Sequence, residues 1–584
     1  MNHPHRPAAL VLLFVFASCN VLPHEPPPTD TLADQAAAIE VVLARVRDLP
    51  FKHPVPVEEQ DKATLKAYLD DSIAKTWDTV GAPSERAYRV FGLLPRDLEM
   101  KSWASEFMTD QIAGYYDTET KRYYTIARAG GDDDDGNRDL PQPFLLAHEL
   151  THALEDQHFD LGAMDAKLAH DDDRNLAFHA VCEGSAMDSG ADTALDAGGF
   201  PGSFASPVLR TGISWLDHVD LADVGDVEID VDGGSGSKDL QDAPAIVRSE
   251  LYFPYVKGWM FMNRLRAEYG YEAVDEAFRT PPESSEQILH PDRYVDRLDR
   301  PQLIALPSTP SGFREVHQQT LGLLRTRVLL AREGDLSDID GWDGDRYVLW
   351  ETPTGDAIGW FTVWDSEREA AAFADELEAY VLPRTGTIGA SAVAREGTRV
   401  AVTINVHDGR AQSVADQLLR DTKVTVQDGD EGPDRWYWRA LRWPLAIRPL
   451  HKSFEFKVAG NWGVDWRSHD DGYKFRVLNS LALHTENNAD RFGFWMLLGL
   501  VGMSTDRTVD YSYARIPLIF TWHGRNEGSE RRARFGLAAN AICYENDREH
   551  KSFDLLWGIL LHSKWGERER EGARAWMLGI PIWW

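Results

Sequence analysis

Residues 144–161 read FLLAHELTHALEDQHFDL, and within them His148, Glu149 and His152 form the pattern HExxH. On an α-helix, side chains four residues apart stand one above the other, so His148 and His152 can direct two imidazoles at one metal ion. Glu149 lies beside them, within reach of a water held at that ion. The stretch also carries a helical apolar pattern: Leu146, Leu150, Ala153 and Leu154 recur at spacings of four, seven and eight, away from the histidines. Pro141 and Pro143 precede the run and Gly162 follows it, so the spacing predicts a helix with one core face and one chemical face.

A second helical run, residues 175–186 (NLAFHAVCEGSA), places Glu183 31 positions after His152 among apolar neighbours. An unpaired carboxylate is costly in such surroundings, and ligation to a metal would satisfy it. Two histidines and one glutamate fill three positions of a tetrahedral zinc and leave the fourth to water, as in catalytic rather than structural sites.

On these residues the sequence resembles the gluzincin zinc metallopeptidases, in which HExxH is followed on a second helix by a glutamate ligand. It is similar also to a group of large, uncharacterised bacterial envelope proteins. The shared segments are AGYYDTETKRYY (113–124), LAHELTHALEDQHFDL, the CEGSA around Glu183, SSEQILHPDRY (284–294) and WDGDRY (342–347), spanning residues 90–350. The resemblance implies a zinc peptidase fold in which His148, His152 and Glu183 hold one Zn2+ and Glu149 is the general base. Two departures stand out. Met187 occupies the place where many gluzincins carry an acid four residues after the glutamate, with Asp188 one further on. The GxMEN pattern of the aminopeptidase branch is absent, so an endopeptidase is the expected activity.

A hydrogen-bond donor from across the cleft is expected to stabilise the developing oxyanion. His290, Tyr252, Tyr255 and Tyr294 are the candidates, which the sequence does not rank, and His179, one turn before Glu183, is a candidate second contact for the site or a satisfied helix histidine. Two alternatives stand beside the peptidase: an envelope scaffold lipoprotein with a structural zinc site, and a metal-dependent hydrolase of a non-peptide amide or ester. Glu149 argues against the first, because a structural site has no use for a base.

Working outward, 584 residues with 43% hydrophobic content and 20 tryptophans call for several folded domains. A net charge of −33 argues against nucleic acid as a partner. Residues 441–584 carry 20 Lys and Arg against 17 Asp and Glu, a balance of +3 that leaves −36 on residues 1–440. The opening MNHPHRPAALVLLFVFASC has the polar start, short apolar stretch and small residues of a secretory signal. Its last four residues resemble a bacterial lipobox, which would make Cys19 the lipidated first residue of a protein anchored in the envelope, at the outer membrane where one exists. PHEPPPTD (23–30) would be the tether. Cys182 and Cys543 alone remain, so no disulfide framework is expected.

The fold class expected is α+β. A mainly helical zincin-like domain covers residues 31–305, a small α+β domain 306–421, a linker 422–435, and a β-rich barrel or sandwich 436–584. Helices are expected at 36–46, 65–77 and 98–108 and a hairpin turning at 117–120, whose first strand is placed to pair with extended substrate, although Tyr115 and Tyr116 equally suit plain strand packing. The acidic runs 130–137 and 171–173 read as solvated loops, the second capping the Glu183 helix. Residues 198–242 read as a surface excursion at the rim of the cleft, and Pro254 as a kink or break in a later helix. Beyond 436, seven apolar runs (454–466, 473–483, 492–503, 511–522, 533–544, 555–565 and 575–584) suggest strands. The terminal Trp584 resembles outer-membrane barrels, but Lys and Arg interrupt several runs, and a soluble β-domain is the favoured reading.

Overall fold

A computed structural model describes residues 31–126, 142–197, 243–295, 298–331, 339–385, 389–407 and 409–427, and fifteen strands between 445 and 583. The signal, Cys19, the tether, the 130–137 loop and the 198–242 excursion lie outside the described residues. The protein is α+β and divides into two compact units, the second holding the fifteen strands.

The first unit opens with helix α1 (Leu32–Arg47), capped by Thr31 and burying Ala36, Ile39 and Leu43 at helical spacing. Strand β1 (Val57–Gln60), α2 (Lys62–Thr76), α3 (Ala82–Phe91) and α4 (Met100–Gln111) follow. The hairpin β2 (Gly114–Asp117) and β3 (Arg122–Ile126) turns where expected, because Asp117 accepts hydrogen bonds from the Glu119 backbone N–H and the Thr120 hydroxyl. In the three-stranded sheet β3 is central, parallel to β1 and antiparallel to β2, which leaves β2 at an edge.

Next come α5 (Gln142–Phe159), which carries HExxH, α6 (Leu161–Leu168), α7 (Asp172–Ala197), which carries Glu183, and α8 (Ala245–Tyr269). Helix α8 runs through Pro254 without the expected break. The apolar face of α5, with Leu146, Leu150, Ala153 and Leu154, packs on α1 through Ile39 and Leu43 in one core. Short helices α9 (Tyr271–Arg279), α10 (Ser285–Leu289) and α11 (Asp292–Val295) close this part.

The remainder of the unit contains β4 (Leu303–Ala305), β5 (Arg314–Gln319), α12 (Gly322–Leu330), β6 (Trp342–Thr352), β7 (Gly355–Trp364), α13 (Glu367–Glu376), β8 (Ala390–Glu396), β9 (Arg399–Val406), α14 (Ala411–Asp421) and β10 (Lys423–Thr425). Strands β5-β6-β7-β9-β8 make one antiparallel sheet. The boundary expected near residue 305 is not a break in packing: Ala87, Val90 and Phe91 of α3 share a core with Trp342, Trp360 and Phe373. The linker expected from 422 begins instead as strand β10, which pairs with β4.

The second unit is a single antiparallel sheet of fifteen strands, β11 (Leu445–Leu450) to β25 (Ile580–Trp583), in which each strand pairs with its chain neighbours. One sheet in chain order replaces the sandwich alternative. Each of the seven apolar runs proves to contain parts of two successive strands and the connection between them. Among the described residues no helix is long and apolar enough to cross a membrane.

Candidate metal centre

Helices α5 and α7 bring His148, His152 and Glu183 to one point, with their ligand atoms all within 4.8 Å of one another. His148 Nε2 lies 3.3 Å from His152 Nε2 and 3.2 Å from Glu183 Oε2, and His152 Nε2 lies 3.6 Å from the same oxygen. A tetrahedral zinc with bonds of about 2.0–2.1 Å separates adjacent ligand atoms by about 3.3–3.4 Å. The three side chains therefore fit that ion in both type and spacing.

Three glycines permit this convergence. A Cβ at Gly190 of α7 would lie 3.2 Å from the His148 backbone nitrogen, so α7 passes close against α5 there. A Cβ at Gly184 would fall 2.2 Å from the Gly258 carbonyl carbon, and one at Gly258 would fall 2.2 Å from the Ala180 carbonyl oxygen. Helices α7 and α8 thus cross backbone to backbone one residue after Glu183. The sequence shows Gly184 inside CEGSA, but only the crossing explains why a larger residue cannot stand there.

Electrostatics favour the assembled cluster. Burial pushes Glu183 up, but the neighbouring histidines overcome it and hold the carboxyl well below its usual range. Burial also opposes protonation of His152, yet Glu183 raises it to about 9, while His148, dominated by burial, is lowered. A metal ion would take the place of the protons held here. Behind His152, Glu155 is fully buried against Arg47 at 3.1 Å and the Ser185 hydroxyl, and burial still raises it to about 7.

His148 Nδ1 is buried and has no hydrogen-bond partner among the described residues. A metal-bound histidine is commonly oriented through its second nitrogen, and His148 has no such contact among the described residues. Asp188 serves a different purpose. It accepts from Asn263 Nδ2 at 2.7 Å and Trp259 Nε1 at 3.3 Å and pairs with Arg266, tying α7 to α8.

Glu149 is buried beside the ligands, and the backbone N–H of Tyr116 donates to its Oε2 at 2.7 Å. The Tyr116 hydroxyl in turn donates to Asp156 at 2.8 Å, which fixes β2 against α5. The expected hairpin strand therefore meets the candidate base directly, a contact that the sequence signalled only by the order of AGYYD and HExxH. Gly114 on the same strand is required by close approach, because a Cβ there would meet the Tyr123 hydroxyl at 2.6 Å.

Of the four tyrosine and histidine candidates, Tyr255 stands beside a ligand: its ring stacks on His148 with centroids 6.2 Å apart. Tyr252 is buried in the core. Tyr294 donates its hydroxyl to the Thr280 carbonyl at 2.8 Å, and His290 is engaged by Arg327 at 3.0 Å and Asp340 at 3.4 Å. His179 pairs with Asp165 at 2.8 Å near the surface instead of contacting the cluster. Cys182 is a buried free thiol, pushed up by burial. Asp171 caps α7 as expected, accepting from the Arg174 N–H at 3.2 Å, while buried Asp173 accepts from the Ser285 N–H at 2.9 Å.

Residues 310–434 match a family described as a domain of unknown function, DUF8575. That span nearly coincides with the expected small α+β domain and its linker. No curated protein matches the chain. Among solved structures, a protein from Chloroflexus aurantiacus, provisionally described as a hydrolase with a novel fold, is similar over 50% of this chain and 97% of its own. The identity is 16% and the TM-score 0.27, a likeness that carries no argument about fold or function.

Proposed function

We propose that this protein is a zinc-dependent endopeptidase, held in the bacterial cell envelope by a lipid on Cys19. The observation that carries the reading is the convergence of His148, His152 and Glu183 at 3.2–3.6 Å with Glu149 alongside. When bound, zinc supplies Lewis acidity, polarising the scissile carbonyl and lowering the pKa of water toward about 7. Glu149 is the general base. Its carboxylate, oriented by the Tyr116 N–H, takes a proton from the attacking water and passes it to the amine nitrogen as the C–N bond breaks. The Tyr255 hydroxyl donates to the carbonyl oxygen as negative charge builds there. Strand β2 pairs only with β3 among the described strands, and its outer edge takes up an extended peptide as an added strand. The anchoring rests on the signal-like residues 1–19 ending in Cys19.

The test is zinc content and cleavage of casein and a peptide library by the mature chain, beside Glu149→Gln and Glu183→Ala. One zinc per chain, activity lost in Glu149→Gln with metal retained, and weakened metal binding in Glu183→Ala are expected. Zinc without cleavage in any form would favour a structural site, and hydrolysis confined to non-peptide amides or esters would sink the peptidase reading.

A further inference from the structure

The fifteen-stranded sheet sorts its residues by face and by height. Register places Glu455, Arg467, Lys474 and Glu486 in one row of one face. The adjacent row on the opposite face contains Phe456, Trp466, Phe475 and Thr485. Charge is thus confined mainly to one side. On the other side the runs that Lys and Arg interrupt in sequence are mainly apolar, with Lys551 and Arg531 as exceptions.

The apolar face is itself graded along the strand direction. At one end, every one of the fifteen strands presents Val, Leu, Ile, Met or Phe, from Leu445 paired with Val458 through Val464, Val477, Leu483 and Met496 to Ile580. Two residues along lies the row of Trp466, Phe475, Phe494 and Met503. Two further along the row turns more polar, with Ser468, Asn487 and Thr505 among Phe454, Tyr473 and Phe492. Large apolar side chains on this face are open to solvent: Trp466, Tyr473, Phe492, Met496, Met503 and Trp522 are 36–48% exposed.

The sequences joining the strands follow the same gradient. The seven connections at the aliphatic end (459–463, 478–482, 497–500, 517–519, 538–541, 556–560 and 578–579) contain no Asp, Glu, Lys or Arg. Six of the seven at the other end contain at least one.

A protein partner would be met by an apolar centre with a polar rim. On this face the order from aliphatic through aromatic to more polar, with charge on the opposite face and in the connections beyond, is the profile of a surface at a lipid–water boundary, where aromatic rings gather at headgroup depth. Fifteen strands about 4.8 Å apart and about 20 Å long present a face of roughly 1,400 Å², and its aliphatic and aromatic rows, about two-thirds of that area, exceed the largest apolar patch of an ordinary monomer. Most of the strands are five or six residues long, short of the nine to eleven that crossing a bilayer requires. We propose that this sheet rests its apolar face on a single leaflet of a phospholipid membrane, tilted so that the aliphatic end lies deepest, with the aromatic row at the headgroups and the charged face, including Lys457, Asp465 and Arg476, in water. The proposal is independent of the metal centre.

The test uses the zinc-loaded chain from residue 20 onward, so that neither the apolar signal nor a lipid on Cys19 contributes, with neutral phosphatidylcholine vesicles. Flotation with the vesicles is expected at both 0.15 M and about 1 M salt, because apolar insertion is little screened. Met496→Asp should weaken partitioning by more than about tenfold, and Thr505→Asp, in the polar row, far less. With Cys543→Ser added, a spin label at Leu483→Cys should report a greater depth, by up to about 13 Å, than one at Asn487→Cys, four residues along the same strand. Absence of flotation by a chain with intact circular dichroism would overturn the proposal. So would binding lost at high salt, equal label depths, or a lipid-free dimer that buries the label at 483.

Discussion

Replacing Gly258 by alanine would force α7 and α8 apart beside the metal ligands. The new methyl carbon would stand 2.2 Å from the Ala180 carbonyl oxygen and 2.9 Å from its carbon, backbone atoms with no rotamer to yield. Restoring an ordinary contact needs a displacement of about 1 Å across the crossing. Glu183 stands on α7 three residues after Ala180, and zinc ligand distances tolerate only about 0.2 Å. Overpacking of this kind typically lowers stability by about 1–3 kcal/mol. Zinc affinity should fall by more than about tenfold, read by competition with a chromophoric chelator, and the urea midpoint of the metal-free protein should fall with it. Gly162→Ala is the control, since its Cβ would meet the Thr118 side chain at ordinary contact distances, 3.5 Å to the hydroxyl oxygen and 3.7 Å to Cβ. It should be neutral or gain up to about 1 kcal/mol from reduced freedom of the unfolded chain. A Gly258→Ala protein with unaltered zinc affinity and unfolding would refute the argument that the crossing sets the ligand geometry.

Tyr255→Phe is expected to lower kcat about 10²–10³-fold at unchanged zinc content, whereas Tyr294→Phe, whose hydroxyl serves the Thr280 carbonyl, should change it little. Steady-state kinetics with metal analysis decides between them. Arg47→Met removes the partner of both Glu155 and Asp275 and should destabilise by about 3–5 kcal/mol in chemical denaturation above pH 7, with part of the loss recovered by adding Glu155→Gln. Burial raises Glu155 to about 7, Asp173 to about 7 and Asp172 to about 6, so the native state holds protons that the unfolded chain has released above pH 4–5. Stability conferred by these groups is complete below their unfolded pKa and is lost as pH rises toward 7. Urea unfolding of metal-free protein should therefore show falling stability from pH 5 to 7, and a rising trend would contradict the burial of these acids.

The convergence of His148, His152 and Glu183 was legible because its logic is local. HExxH brings two of the three together by helix periodicity, and Glu183 announced itself as an acid in an apolar run. Its supports were not legible, since they depend on pairings across long stretches of chain. Nothing near residue 47 announces that Arg47 meets Glu155, and nothing near 258 announces that a glycine must face Ala180. Tyr255 could be named but not chosen, because the choice requires knowing which turn of α8 faces His148. In the C-terminal sheet the reading saw seven runs where there are fifteen strands, for a definite physical reason. The connections at one end are as apolar as the strands, as in 492–503, where LLGL joins two of them, so the polar punctuation that marks a turn is missing. The edge position of β2 was anticipated from the order of segments. Its hydrogen bond to Glu149 was not, because a backbone donor leaves no trace in residue identity.

The packing of Phe91 edge-on against Trp360, with ring centroids 5.4 Å apart, also constrains when this protein can fold. Phe91 leaves the ribosome 269 residues before its partner, an interval of roughly 13–54 s at ordinary elongation rates. Throughout that time α3 lacks the tryptophan-rich sheet that completes its core, and long-range closure of this kind slows the final collapse as well. Until the later sheet has been made, the early helices therefore cannot lock into a finished domain.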